Sequence, residues 1–325
     1  DTMTGRTKFN ALQLLKVAVF LLSCWFIWYH INSRISLLDD TSKLVERLQE
    51  RDAIFRISIA VMLMFLNWTV EAFKWKSLVN VLCKISLVKS LRSVFTGITV
   101  SFYTPNRIGE FAGKVMHLEP EYRAKGCLLS FIGSSSQLLV TLQLGLIAVL
   151  MNMGTWFDSW MINKNVFLVL LSLLVILMTF GWFRISWLSP LLLRLKLSET
   201  MKKQVEVFSE FQATHLLSIY SYSLVRYLIF SFQQYLLLQA FAVNIDFMTC
   251  FQLTAISFLL ITIIPSIALG ELGIRGSVNI AVFGMVVNNS FGILAATFML
   301  WLINLAIPAL LGAVSMLYIR VKKEA

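Results

Sequence analysis

Seven ionisable residues fall within or beside apolar stretches of the chain: Glu71, Arg107, Glu110, Lys114, Arg226, Glu271 and Arg275. A charge in hydrocarbon is costly, so such residues face protein, a watery cavity or a partner charge. Glu110 and Lys114 are four residues apart, as are Glu271 and Arg275. On a helix each pair shares one face and neutralises itself, and a carboxylate in a first turn is also favoured by the helix dipole. Two compatible roles follow: a binding site, or a staple that holds its helix. Arg226, between Val225 and Tyr227, is either the buried partner of a glutamate or a cationic grip on an anionic headgroup. Arg107 is either part of the same site or a basic residue at the cytoplasmic face. Glu71 with Lys74 and Lys76 reads as an ion cluster at the membrane interface. Ser134, Ser135, Ser136 and Gln137 read first as helix-packing residues and second as substrate contacts. Gln233 and Gln234 lie two turns beyond Arg226 and could extend a polar lining.

Other chemistries lack their residues. There is no Gly-x-Ser-x-Gly, no His-Glu-x-x-His and no Walker loop, so neither an enzyme nor a nucleotide hydrolase is expected. Cys24, Cys83, Cys127 and Cys250, and His30, His117 and His215, show no metal-ligand spacing. No metal and no cofactor are expected. The net charge of +11 does not imply nucleic acid, because no basic stripe is interleaved with exposed aromatics. Lys and Arg in cytoplasmic loops, facing anionic lipid, explain it better.

The elements that must position these residues are membrane helices. The 325 residues are 58% hydrophobic and only 14% charged, too few charges to cover a soluble surface. Long unbroken apolar runs argue against a β-barrel. Six spans are expected: Leu12 to Ile31, Ile57 to Leu82, Cys127 to Met151, Val166 to Phe183, Ala213 to Val243 and Phe291 to Ile319. Arg34 to Asp52 suits an amphipathic helix on the surface, and Arg184 to Glu210 a basic connection. Val88 to Thr104 and Arg107 to Leu118 flank Pro105. The second arm, at about 18 Å, is short of the roughly 30 Å of hydrocarbon. A re-entrant hairpin over 88–118 is therefore expected, with its tip at Thr104-Pro105-Asn106 and Gly109 beyond it. A second hairpin is expected over 247–287, with a tip from Pro265 to Gly270 and Gly273 close by. The basic loops sort to one side, which puts both termini in the cytoplasm of a plasma (inner) membrane protein.

Ile85 through Pro105 aligns with Ile245 through Pro265 at an offset of 160. One inserted residue then lays Gly109-Glu110-Phe111-Ala112-Gly113-Lys114 over Gly270-Glu271-Leu272-Gly273-Ile274-Arg275. Three crossings separate the hairpins, so they enter from opposite sides, as in inverted-repeat transporters. The fold class expected is an all-α polytopic membrane protein, one domain over 1–325. Its first repeat covers about 54–126 and its second about 212–287. Prolines at both tips free backbone groups, which survive at membrane depth only beside protein or a watery cavity.

The tip sequences, Thr104-Pro105-Asn106-Arg107-Ile108-Gly109-Glu110 and Pro265 to Arg275, resemble the signature pair of the lysylphosphatidylglycerol synthase transmembrane, flippase-like family. Asn106 stands where that family has glycine, Glu271 at a second glycine and Gly276 where an acid is usual. The resemblance covers nearly the whole chain. It implies a cavity between two re-entrant hairpins. It also implies translocation of an anionic or aminoacylated phospholipid, or a polyprenyl or lipid-linked carrier, between leaflets. The family's aminoacyl transferase is a separate soluble domain, and the chain, which ends shortly after its last membrane segment, is not expected to be a synthase. Other expectations are an ion-coupled carrier of small solutes, and a membrane partner of a glycosyltransferase or lipid-modifying enzyme.

Overall fold

Long apolar stretches without alternation give helices, and all the regular elements among the described residues are helical. The computed structural model describes residues 46–104, 107–152, 164–194, 198–264 and 268–317. The expected first span, most of the surface helix, Pro105, Asn106, Pro265, the side chain of Glu271 and the C-terminal basic tail lie outside the described residues. Helix α1 spans Arg51–Val79. The first hairpin follows as α2, Leu87–Ser101, and the short α3, Gly109–Val115. Next come α4, Pro120–Met151, and α5, Lys164–Phe183. Short helical turns, including α6, Leu188–Leu193, and α7, Glu199–Val205, form the basic connection. Then α8, Ala213–Ala240, leads to the second hairpin, α9, Phe247–Ile263, and α10, Ala268–Phe283. The last stretch is α11, Ser290–Trp301, a π-helical turn at Leu302–Ala306, and α12, Ile307–Leu317.

Three of these stretches are long and apolar enough to cross a membrane: α1, α4 and the run Ser290–Met316. A fourth forms if Leu168–Phe183 and Ile185–Leu193, which meet at 74°, count as one broken span. The protein is thus an all-α integral membrane protein. Helix α8 is as long as a span, but Arg226, Gln233 and Gln234 lower its hydropathy.

Four boundaries differ from the expectations. Helix α4 begins at Pro120, seven residues early, because proline suits a first helical turn. The polar stretch before Cys127 is therefore helical. Gly270 and Gly273 are not at a tip: the helix restarts at Ala268, within three residues of Pro265, and carries both glycines. The first arm-to-arm segment shrinks to a seven-residue α3. The last span is interrupted by the π turn. Pro308 lies just after it and has no N–H for the carbonyl of Asn304, four residues back.

Glycines set how closely the helices approach, and in lipid such close packing replaces hydrophobic drive. A Cβ at Gly113 would stand 2.6 Å from Gly97 Cα and 2.7 Å from the Thr96 carbonyl oxygen, so the two arms of the first hairpin touch backbone to backbone. A Cβ at Gly312 would overlap the Phe95 carbonyl, and Thr99 donates to the Ala309 carbonyl at 2.7 Å, which fixes α12 on α2. The outer arms start alike. Ser86 accepts from the Lys89 N–H at 3.2 Å and Asp246 from the Thr249 N–H at 3.0 Å, both as N-caps and 160 positions apart. Gly113→Ala is expected to force the hairpin arms apart and destabilise the protein by about 1–3 kcal/mol. Gly181→Ala, in α5 with nothing within 4 Å of the added Cβ, is expected to be neutral or slightly stabilising. Thermal unfolding of both variants in detergent checks this, and equal effects would contradict the close approach.

Candidate functional site

The site is built around Glu71. On α1, Asn67, Glu71 and Lys74 fall on one face by helical spacing, between Trp68 and Trp75. All three are buried, with Glu71 only 2% exposed. The Glu71 carboxylate receives three cations from three helices. Lys74 Nζ is 2.7 Å away on the same helix. Lys114 Nζ of α3 is 2.8 Å away. Arg226 of α8 donates from its Nη1 to the second carboxylate oxygen. This corrects the interfacial reading of Glu71. Lys74 points inward because α4 and α8 supply acceptors, the Gly133 carbonyl at 3.4 Å and Ser223 Oγ at 3.3 Å. Lys76 lies two residues beyond Lys74, about half a turn round the helix from it.

Aromatic and neutral groups complete the cage. Arg226 donates from Nε to Asn67 Oδ1 at 3.1 Å and lies 5.0 Å from the Trp68 ring centre and 5.8 Å from that of Phe230. Lys114 lies 5.7 Å from the Trp75 ring centre. Such cation–π contacts are worth about 2 kcal/mol when desolvated. Arg226 is therefore the buried partner of a glutamate, and that glutamate is Glu71.

Lys114 also bonds Glu110 at 2.7 Å, so the four-residue pair forms as its spacing implies. Lys114 thus joins two carboxylates. Arg107 closes the outer edge, with Nη2 3.9 Å from Glu110. The Arg107 and Glu110 side chains are 35% and 20% exposed, against 3% for Lys114 and Glu71. Burial therefore grades from a sealed inner pair to an accessible outer pair. Arg107 has φ 59°, a left-handed backbone that a non-glycine residue adopts at some cost, so its position is held by its surroundings. Thr104 anchors the turn behind it: the Gly109 N–H donates to Thr104 Oγ1 at 2.7 Å. A Cβ at Gly109 would fall 2.7 Å from that hydroxyl, which is why glycine opens α3.

A cavity of about 590 Å³ opens against this cluster. Glu71, Lys74, Arg107, Glu110 and Arg226 line it, as does Arg275 from α10. Phe230, Phe258 and the end of α9 through Ile264 form an apolar wall. Ile263 is 65% exposed, so the cavity reaches the surface where the second hairpin turns. Residues of both hairpins, Arg107 and Ile264, share this one space. Ser134 and Gln137 line it, whereas Ser135 accepts from Trp182 Nε1 at 3.1 Å and Ser136 donates to the Ile219 carbonyl at 3.5 Å. The serine run therefore splits between lining and packing. Gln233 serves packing as well, donating to the Ala60 carbonyl at 2.7 Å. The backbone of Glu271 lies in the first turn of α10, one turn before Arg275.

Among the lining residues without a sequence signal are Asn279, Thr297, Trp301 and Asn304. Each stands alone among apolar neighbours, and only the helical break near Pro308 marks their surroundings.

Chemically the cluster can hold an anion. Lys74, Arg107, Lys114 and Arg226 give four formal positive charges and Glu71 and Glu110 two negative, a balance of +2. Adding Arg275 and Glu271, both from α10, leaves the balance unchanged. Among the described residues no group of His, Cys, Asp and Glu could hold a metal ion.

Removing the central carboxylate leaves three buried cations without their shared partner. Glu71→Ala is expected to destabilise the protein by about 3–5 kcal/mol. Lys202→Ala breaks an exposed pair with Glu199 and is expected to change stability by about 0–1 kcal/mol. Melting temperatures in detergent compare the two, and a small loss for Glu71→Ala would contradict its central place.

The family model for the lysylphosphatidylglycerol synthase TM region matches residues 13–312. No curated protein matches the chain. The match covers well over half of the sequence, and the chain belongs to the lysylphosphatidylglycerol synthase transmembrane family.

Proposed function

We propose that this member of the lysylphosphatidylglycerol synthase transmembrane family is a flippase-like lipid transporter. Its cargo is an anionic or aminoacylated phospholipid, or a polyprenyl or other lipid-linked carrier, moved between leaflets. The observation that carries the reading is the cavity shared by the two hairpins, lined by both cationic and apolar side chains and reaching the surface at Ile263. A headgroup phosphate fits the cationic residues, and acyl chains fit lipid beyond the mouth. Charged residues at membrane depth that face a cavity are expected of a substrate path.

The paired hairpins support an inverted repeat, with its halves at about 54–126 and 212–287 and both termini in the cytoplasm. The matching N-caps at Ser86 and Asp246, and a basic residue on each inner arm, Lys114 and Arg275, fit that reading. In such a repeat one half rocks against the other around a fixed site. Arg107 and Arg275 would then contact the phosphate first. Lys114 and Arg226 would set the potential from behind while Glu71 holds them. Glu110 shares Lys114 with Glu71, so it is placed to release or retake that cation as the headgroup arrives.

Exchange of a labelled anionic phospholipid between leaflets of proteoliposomes tests this directly. Arg107→Ala and Glu110→Gln, both at the accessible edge, are expected to lower the rate about ten- to a hundredfold, the loss of one charge-assisted hydrogen bond. Both variants are expected to elute from gel filtration as the parent protein does. No exchange by the parent would overturn the lipid reading. Uptake of a water-soluble solute would then favour a small-solute carrier. Activity only with a bound glycosyltransferase would favour a membrane partner.

A further inference from the structure

Outside the cavity, one exposed stripe changes its chemistry part-way along. On α5, Leu170, Leu173, Leu177 and Phe180 follow one another at alternating steps of three and four, and all are exposed. In an integral membrane protein such an exposed apolar helix face is a face toward lipid. The same steps continue past the helix end to Arg184, Trp187, Leu191 and Arg194, which are exposed as well. Two things change there. The chain bends by 74° between Leu168–Phe183 and Ile185–Leu193. The stripe also turns from wholly apolar to half basic. Its opposite face stays packed: Ile185 and Ser189 are buried, and Leu192 is half-buried against the core.

The two parts of the stripe are joined across the bend. The Trp187 ring meets Phe180 edge to face, with centres 5.8 Å apart. The Arg184 guanidinium lies over both rings, 4.9 Å from the centre of Trp187 and 5.9 Å from that of Phe180. Arg184 and Trp187 therefore stand where the lipid-facing surface of α5 ends. That is the level at which tryptophan rings and the charged heads of arginines meet the headgroups of a bilayer. Neither Arg184 nor Arg194 has a carboxylate partner among the described residues. From 184 to 203, five basic residues (Arg184, Arg194, Lys196, Lys202 and Lys203) stand against one acid, Glu199, a balance of +4. Helix α7 packs on α6 and carries Lys203 exposed, while Lys202 is engaged by Glu199. None of the described residues of this stretch lines the cavity.

Charge alone would also suit an acidic soluble partner. Continuity decides for the bilayer. The stripe grows out of a lipid-facing helix, and its own apolar members, Trp187 and Leu191, are 56% and 61% exposed beside the arginines. We infer that residues 184–203 form a second lipid-binding surface, separate from the cavity, which lies on the membrane and binds the phosphates of anionic lipid headgroups. Arg184 and Arg194 hold the phosphates. Trp187 and Leu191 sit between them at the top of the acyl chains. On the topology proposed above this is the cytoplasmic leaflet, whose surface is the anionic one. Such a surface needs no transport activity.

Hydrogen–deuterium exchange of the whole protein in nanodiscs reads the segment directly. The two nanodiscs are phosphatidylcholine alone and phosphatidylcholine mixed with phosphatidylserine. Backbone exchange across 184–203 is expected to be about fivefold slower, or more, in the mixed discs. About 1 M salt is expected to shrink that difference. Arg184→Gln combined with Arg194→Gln is expected to remove it. Both side chains are exposed, so this double variant is expected to melt as the parent does. Arg107→Ala, which alters the cavity, is expected to leave the difference intact. Equal exchange in the two discs would overturn the binding of anionic lipid. A difference lost in Arg107→Ala would assign the effect to lipid in the cavity and overturn a separate surface. Protection gained only from an added acidic protein, with none from phosphatidylserine, would overturn the bilayer as occupant.

Discussion

The carboxylate of Glu71 is the constraint on which the rest depends. Bringing Lys74, Lys114 and Arg226 out of water costs several kcal/mol per ion, and that is recovered only where their partner is close and correctly oriented. One anion serves all three, so α1, α3 and α8 must meet at one point. The Gly97–Gly113 approach lets α3 come near enough to α2 for Lys114 to reach it. The Gly133 carbonyl and Ser223 hydroxyl then hold Lys74 in place. The fold of this half reads as the geometry that satisfies one buried charge.

Because the inner cations are engaged, the cluster separates two jobs by depth. Lys114 and Arg226 shape the electrostatic potential without being free to follow a ligand. Arg107 at the outer edge is accessible and only loosely paired, 3.9 Å from Glu110, so it can. A site with every cation exposed would bind anions firmly in water-filled states and release them poorly. A site with every cation sealed would not bind at all. The gradient from 3% to 35% exposure gives both a permanent field and a mobile contact.

The sequence made much of this legible, and the gaps have physical causes. Apolar run length gave the all-α membrane class, and the tips gave the family. The Glu110–Lys114 pair was legible because four-residue spacing is a local rule. Glu71 reads as interfacial in the sequence because, of its three partners, only Lys74 is near it, while Lys114 and Arg226 come from 43 and 155 residues away. Glycines near a proline read as a turn, yet Gly270 and Gly273 continue a helix whose Ala-Leu start favours it. The lining residues Asn279, Thr297 and Asn304 had no signal beyond Pro308, because single Asn and Thr residues in apolar helices look the same whether they pack or bind.

The burial of Arg226 also bears on how the chain is made. An arginine in mid-helix weighs against insertion by roughly 2.5–3.5 kcal/mol, and α8 is not among the helices apolar enough to cross alone. Glu71 precedes it by 155 residues. In synthesis from the N-terminus, α1 is in place before α8 emerges. The earlier helix can therefore act as a receptor for the later one, so that Arg226 of α8 packs against a waiting counter-charge rather than against apolar surface.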